Sequence, residues 1–442
     1  YKTYLYPTLE FCIKTHCLKV EQLKKIDREV ITSVRKWSNI PHTASLNFFY
    51  TPVTLGGLGF RNIREDYAAL RLAVALNVLH SPDDKVRAVA SRSLKNIVSV
   101  RTKSSKTVEE YVNMERELGP IKDIRSLLSS IRLNAIALGV SLRNLNPEDS
   151  NSALIDFNLQ SIKQPTHIVP RSHFQPTRIR RLRWHNQQKH FEGWQAQPVQ
   201  GKLVNCFSWF PGSNKWIRNC DMKINTYRFA QLARLDILPS KAQMFRMKIA
   251  PDAICRHCPC SVETLGHAIG GCKRGEALRV LRHDHVVKLI VDNIQKKFKS
   301  KKNQDKQSWE LYENRVFLFG ISKRRPDIVL WNEKKKLVHI IDVTISYENG
   351  MDRLDQVLFH KREKYAPEGQ KLEEMGYSVF RSALVFGALG SHHPSTSDTL
   401  GRFCFITAKK VQKRLMKDIT LSVLEDSRLV WNNHVQSVVV PH

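Results

Sequence analysis

Between residues 20 and 40 the chain reads VEQLKKIDREVITSVRKWSNI, with Val20, Leu23, Ile26, Val30, Val34 and Trp37 at three- and four-residue steps. That is the period of a helix with one apolar stripe, and the stripe needs a partner. YTPVTLGGLGFRNI, 50 to 63, interrupts the pattern with Pro52, Gly56 and Gly57, after which DYAALRLAVALNVLH restores it. Residues 1–100 therefore predict a helical domain. Residues 101–170 are polar with short helical stretches, a connector, and the prolines of PTHIVPRSHFQPT, 165 to 177, mark a boundary. A helical pattern returns around NTYRFAQLARLDILPSKAQMFRMKI, within a basic segment taken as 171–250.

Further on the period changes. SWELYENRVFLFG reads as a helix preceded by a flexible KKFKSKK loop, whereas IVLW and LVHIID read as strands on either side of a turn at EKKK. In MDRLDQVLFHKREKYAP, Leu354, Leu358, Lys361 and Tyr365 share one helix face. The expected fold class is multidomain, α + α/β, and the last domain is α/β over 276–442.

Charge changes the picture from fold to partner. Lys and Arg number 71 against 41 Asp and Glu, a formal charge of +30 in 442 residues. A balance this basic points to a polyanion, with nucleic acid as the default. Segment 171–190 carries six Lys or Arg and no acid, and 273–306 carries 11 against four acids. Arg178, Arg180, Arg181 and Arg183 with Trp184, and Lys296, Lys297, Lys299, Lys301 and Lys302, are the candidate nucleic-acid contacts; the first group reads either as a solvated linker or as a strand-tracking surface with Phe174, Trp184, Phe191 and Trp194 interleaved. No run reaches the roughly 18 apolar residues of a membrane span, so no membrane partner is expected. Since Tyr1 is not Met, the chain reads as a piece of a longer polypeptide, soluble and intracellular.

Two constellations carry chemistry. Cys255, Cys258, His267 and Cys272 have the spacing of a tetrahedral structural zinc knuckle over 251–275, with Cys260 or His257 as possible substitutes for a neighbour. Gly266, Gly270 and Gly271 are expected to relieve backbone strain beside the ligands. The second pair is Asp327 and Asp342. If the turn takes 333 to 336, Trp331 faces Val338 and Asp327 faces Asp342, two carboxylates whose repulsion a divalent cation such as Mg²⁺ would relieve. Thr344 stands where a D-x-K arrangement would put a lysine, and Lys361, with Lys364 second, is the replacement from the following helix. Glu310 and Glu313 are further candidate ligands or surface positions. Asp83 and Asp84, the one Asp-Asp pair, read as helix caps.

RPD, a 14-residue gap, Asp342 within an apolar strand and a displaced lysine beside Tyr365 together resemble the restriction-enzyme-like endonuclease, PD-(D/E)xK type, of site-specific non-LTR retrotransposons. The upstream knuckle fits the same elements, and YLYPTLEF with YTPVTLGGLGF resembles the thumb that follows their polymerase palm. The resemblance implies that Asp327 and Asp342 bind catalytic Mg²⁺ and that Lys361 or Lys364, with Tyr365, completes the centre. It implies a C-terminal fragment of a reverse transcriptase that nicks target DNA to give a 3′-hydroxyl for target-primed reverse transcription. Target DNA and element RNA would be its partners, in the nucleus, with the palm active site absent from this chain. The rival expectation is a non-catalytic zinc-knuckle protein that binds DNA or RNA through a decayed nuclease fold.

Overall fold

The computed structural model describes residues 4–102, 106–113, 126–145, 152–157, 167–170, 176–208, 210–218, 222–299, 308–317 and 320–436. The chain is mixed α/β and divides into two compact units. The first comprises Tyr1–Trp37, Leu46–Pro52 and Gly59–Gly193, and the second Ser38–Ser45, Val53–Leu58 and Trp194–His442.

The first unit is built from α1 (Leu5–Thr15), α2 (Val20–Ser38), α3 (Leu46–Tyr50), α4 (Ile63–Leu79), α5 (Asp84–Thr102), α6 (Val108–Asn113) and α7 (Ile131–Leu138). An antiparallel sheet β1 (Val140–Arg143), β2 (Ser152–Phe157), β3 (His167–Pro170) and the helix α8 (Pro176–Gln195) complete it. Helix α4 is apolar nearly all round, with Leu70, Leu72, Ala75, Leu76 and Leu79 all fully buried, so it forms the centre of the unit. Asn62 caps it by accepting from the Glu65 backbone N–H at 3.1 Å. Asp83 caps α5 as expected, accepting from the backbone N–H groups of Lys85 and Val86.

Two expectations change here. The connector 101–170 contains β1–β3 as well as helices, and the basic run after it is a helix. In α8, Ile179, Leu182 and His185 are buried while Arg180 and Arg181 are exposed, so the charges occupy the outer face of a packed element.

The second unit opens with α9 (Val204–Ser208), α10 (Ile224–Arg234), α11 (Lys241–Arg246) and α12 (Leu265–Gly270) and continues into α13 (Glu276–Phe298). Then come β4 (Glu310–Glu313), β5 (Ile328–Asn332), β6 (Leu337–Ser346), α14 (Met351–Glu363), α15 (Ala366–Glu374), β7 (Ser378–Gly387), α16 (Thr396–Arg402) and α17 (Lys409–Val435). The sheet order is β4-β5-β6-β7, antiparallel except for the parallel β6/β7 pair. Ile328, Leu330, Ile341, Val343, Leu384 and Phe386 face α13 and α17. The alternate residues Val329, Trp331, Val338 and Ile340 face Tyr365 and Leu372, and Ala383 and Val385 face Leu354 and Leu358 of α14. Burial on both faces explains the near-continuous apolar runs of β5 and β6.

SWELYENRVFLFG does not form the expected helix. Glu310–Glu313 is an edge strand on β5, because Trp309 and Leu311 alternate into the α13/α17 core while Tyr312 turns to the other face. The KKFKSKK segment is not a loop at its start either: Lys296 and Lys297 lie in the last turn of α13 and Lys299 caps it. Lys301 and Lys302 fall outside the described residues.

Candidate functional site

The knuckle is assembled by local backbone. Ile254 and Val262 bridge in antiparallel fashion, and the Cys255 N–H donates to Ser261 O at 2.8 Å, folding the Cys255–Cys258 turn. Thr264 caps α12 through the His267 N–H, and the Cys272 N–H donates to His267 O at 2.8 Å. Two thiols from the turn, one thiol from the end of α12 and the imidazole thereby converge: ligand atoms of Cys255, Cys258, His267 and Cys272 all lie within 4.8 Å of one another. The Sγ atoms of Cys258 and Cys272 are 3.5 Å apart, and His267 Nε2 is buried without a protein hydrogen-bond partner. Burial, aided by the neighbouring thiols, pushes the Cys272 thiol up to about 12. Three thiols this close ionise together only around a cation, so the donor set fits a metal such as zinc.

Cys260 is exposed and the His257 imidazole meets His434 O at 2.7 Å, so neither joins the cluster. The glycines have a different role from the one expected. None of Gly266, Gly270 and Gly271 has positive φ; instead a Cβ on Gly266 would come within 2.7 Å of the Tyr347 ring, so a glycine permits the close approach of α12 to the end of β6.

Two knuckle residues had no sequence signal. Glu263 and His434 are fully buried and pair at 3.2 Å, and with Cys255 they form a second group of possible ligands. Burial tends to raise the Glu263 carboxyl, but Arg256 and the backbone N–H groups of Lys241 and Arg256 outweigh it and hold the group down at about 2. His434 belongs to α17, far along the chain, where an isolated histidine has no ligand spacing to betray it.

At the second site the hairpin register is the expected one. Residues 333–336 form the turn, Trp331 pairs with Val338 and Ile328 with Ile341, so Asp327 and Asp342 are the next pair outward. Asp342 is buried. Its two oxygens are claimed by two ammonium groups, Lys361 Nζ at 2.5 Å and Lys364 Nζ at 3.2 Å. Lys361 reaches it because Leu354 and Leu358, on the same face of α14, are anchored in the core. Tyr365 is buried, donates to Arg325 O at 3.1 Å, and has its hydroxyl pKa raised by burial and by the charge of Asp342. The Arg-Arg-Pro-Asp segment is thus tied to the α14/α15 junction.

Asp327 makes different contacts. Its Oδ2 accepts from the Val343 N–H at 2.6 Å and lies 3.3 Å from His283 Nε2. The same nitrogen is 3.2 Å from Val343 O, so a carboxylate and a backbone carbonyl converge there. Hydrogen bonding to Asp327, against the opposing effect of burial, raises the His283 imidazole to about 9. His283, from α13, was not singled out in the sequence. Among the described residues no third Cys, His, Asp or Glu joins Asp327 and Asp342 in a metal-sized group. Glu310 pairs with Tyr312 and is exposed.

A groove of about 1090 Å³ within this unit is lined by Thr264–Gly266, beside the Cys/His cluster, and by Thr344, Arg353, His360 and Lys361, beside Asp342. Of the remaining candidates, Lys296 and Lys299 are exposed and Trp184 partly so. Arg183 turns inward to Asp66 at 2.6 Å and to Tyr6 at 3.1 Å. The side chain of Arg178 lies outside the described residues. No helix among the described residues is long and apolar enough to cross a membrane. Comparison with protein-family models and with curated proteins finds no match to this chain.

Proposed function

We propose that the second unit is a restriction-like DNA endonuclease that nicks one strand by metal-assisted hydrolysis, and that the chain is the thumb-like, connector, zinc-knuckle and nuclease part of a non-LTR retrotransposon reverse transcriptase. The observation that carries this reading is the placement of Lys361 on Asp342, with Asp327 paired across the hairpin. Asp327, Asp342 and the Val343 carbonyl are hard oxygen donors suited to Mg²⁺. Bound there, Mg²⁺ would polarise a phosphate oxygen and make a water more nucleophilic.

The residues of the chain supply the rest. Lys361 orients the water or stabilises the charge developing on the phosphate, Lys364 assists from the other carboxylate oxygen, and buried Tyr365 fixes the loop that carries Asp327. His283 holds Asp327 through its imidazole. The groove's cations would seat the phosphates of target DNA. Exposed Arg180, Arg181, Lys296 and Lys299 would add contacts to DNA or element RNA, giving steep salt dependence. The released 3′-hydroxyl would prime reverse transcription by the parent protein's polymerase, in the nucleus.

Conversion of supercoiled plasmid to nicked circles with Mg²⁺ at low salt, beside Asp342→Ala and a control without Mg²⁺, tests the reading. Nicking by the parent alone supports it. One observation favours the rival, a nucleic-acid-binding protein with an inactive nuclease fold: both oxygens of Asp342 are already neutralised by lysines, with no third acid beside the pair among the described residues. Salt-dependent DNA binding without nicking on target DNA, even in the full-length protein, would select it.

A further inference from the structure

A recess of about 470 Å³ in the second unit is lined by Val53, Phe210 and Met416 below and by Lys215, Arg218 and Lys413 at its rim. Met416 packs in the core with Ile341 and Val343, so the recess lies behind the sheet face opposite to the one that carries Lys361 and Asp342. All three rim cations are exposed, and among the described residues no carboxylate lines the recess and none of the three has an ion-pair partner.

The wall is rigid. Asn214 donates to Thr54 O at 3.1 Å and to Phe207 O at 2.8 Å and accepts from buried Arg234 at 2.6 Å. Phe210 is half-buried and stacked on His392 with ring centroids 5.7 Å apart. Along α17, which carries Lys413 and Met416, exposed Lys409, Lys410 and Arg414 extend the positive charge, and Arg414 meets Asp418 only at 3.9 Å. These cations gather at the N-terminal end of α17, which has no acid in its first turn. Positive charge is disfavoured at that end of a helix. A polyanion relieves the repulsion, and phosphates fit the rim.

An apolar floor beneath a cationic rim also selects the form of the polyanion. A duplex presents its bases stacked and inaccessible, whereas an unpaired strand places a base face on an aromatic side chain while its phosphates run along the cations. We propose that this recess binds an unpaired DNA strand, with phosphates on Lys215, Arg218 and Lys413 and a base against Phe210 and Met416. The choice of DNA over RNA rests on the nuclease reading; the binding of an unpaired strand does not.

The test measures anisotropy of a labelled oligo(dT) of about 12 nucleotides, within single-strand site sizes, in Mg²⁺-free buffer that keeps the zinc bound, so that cleavage plays no part. The Lys215→Ala/Arg218→Ala/Lys413→Ala variant should bind at least tenfold more weakly. Its slope of log affinity against log salt should fall by about 2, near 0.7 per lost phosphate contact. Phe210→Ala should weaken binding without changing the slope, and duplex DNA should respond less than oligo(dT) to both. Unchanged affinity and slope, or equal losses for duplex and single strand, overturns the proposal; tighter binding of oligo(U) than of oligo(dT) overturns the assignment to DNA.

Irradiation of the parent protein with thiothymidine-containing oligo(dT) requires no variant and should cross-link the peptide holding Phe210 or Met416. Cross-links confined to other peptides also overturn the proposal. Plasmid nicking by the parent, measured separately, reports on the nuclease reading whichever way the binding falls.

Discussion

The ammonium of Lys361 lies 2.5 Å from one carboxylate oxygen of Asp342, and that of Lys364 lies 3.2 Å from the other. Lys361 comes from the anchored face of α14, whereas Lys364 caps its end and is the more exposed of the two. Lys361→Ala is therefore expected to lower the plasmid-nicking rate by about 10²- to 10³-fold, as loss of a group stabilising transition-state charge does. Lys364→Ala should lower it by less than about tenfold. The reverse ranking in a Mg²⁺ nicking time course would transfer the role to Lys364.

The knuckle should hold one zinc per chain, measurable by atomic absorption. His267→Ala and Cys272→Ser should lose it. His434→Ala should retain it and lower the melting temperature, since His434 pairs with Glu263 rather than completing the set of three thiols and one imidazole. Because a structural zinc contributes on the order of 10 kcal/mol, chelation should remove the cooperative transition of the second unit. Zinc retained by His267→Ala but lost by His434→Ala would identify the alternative group.

His283 links pH to stability in the protein without Mg²⁺. Its folded-state value, about 9, is above the ordinary 6.5, so its contribution is fully present below 6.5 and is lost as pH rises through 9. Discounted for partial exposure, the effect is about 1–2 kcal/mol. Urea denaturation of the zinc-loaded protein without Mg²⁺ should show parent and His283→Asn converging between pH 6.5 and pH 9. A constant difference across that range would exclude the linkage.

In the first unit Arg183 meets a carboxylate, Asp66, that is only 3% exposed. Burial raises the Asp66 carboxyl and Arg183 opposes that rise. Arg183→Ala leaves the acid without its cation and should cost about 3–5 kcal/mol. Substituting exposed Arg180 should cost less than about 0.5 kcal/mol. Equal urea midpoints for the two variants would mean the pair carries no such energy.

Gly387 closes β7 against a buried acid. Glu348 accepts from the Leu389 N–H at 2.9 Å and from the Ser391 hydroxyl at 2.9 Å, and a Cβ at position 387 would collide with both the Glu348 carboxylate and that hydroxyl. Gly387→Ala should destabilise by about 3 kcal/mol or more, by displacing a buried carboxyl group from its hydrogen-bond donors. A melting temperature within a degree or so of the parent would show that the loop yields without cost.

The hairpin and the knuckle were legible in the residues because both are local. Alternation on either side of a short turn decides which residues face each other, so Asp327 opposite Asp342 follows from counting. Short Cys and His spacings limit what one metal can gather. Lys361 was legible as well, since Leu354 and Leu358 on its helix face determine where it points. Other features depended on partners distant in the chain. Glu310–Glu313 became a strand only because β5 offered an open edge, and its Trp-x-Leu alternation was too short to outweigh a helical reading. α8 became a packed helix rather than a linker because Ile179 and Leu182 found a core. His283 beside Asp327, His434 beside Glu263 and the cationic recess join residues separated by tens to hundreds of positions. Sequence by itself determined the local geometry, where a few residues set register and spacing. Tertiary structure alone decided which buried charges meet, because each pairing depends on the packing of whole helices against a sheet.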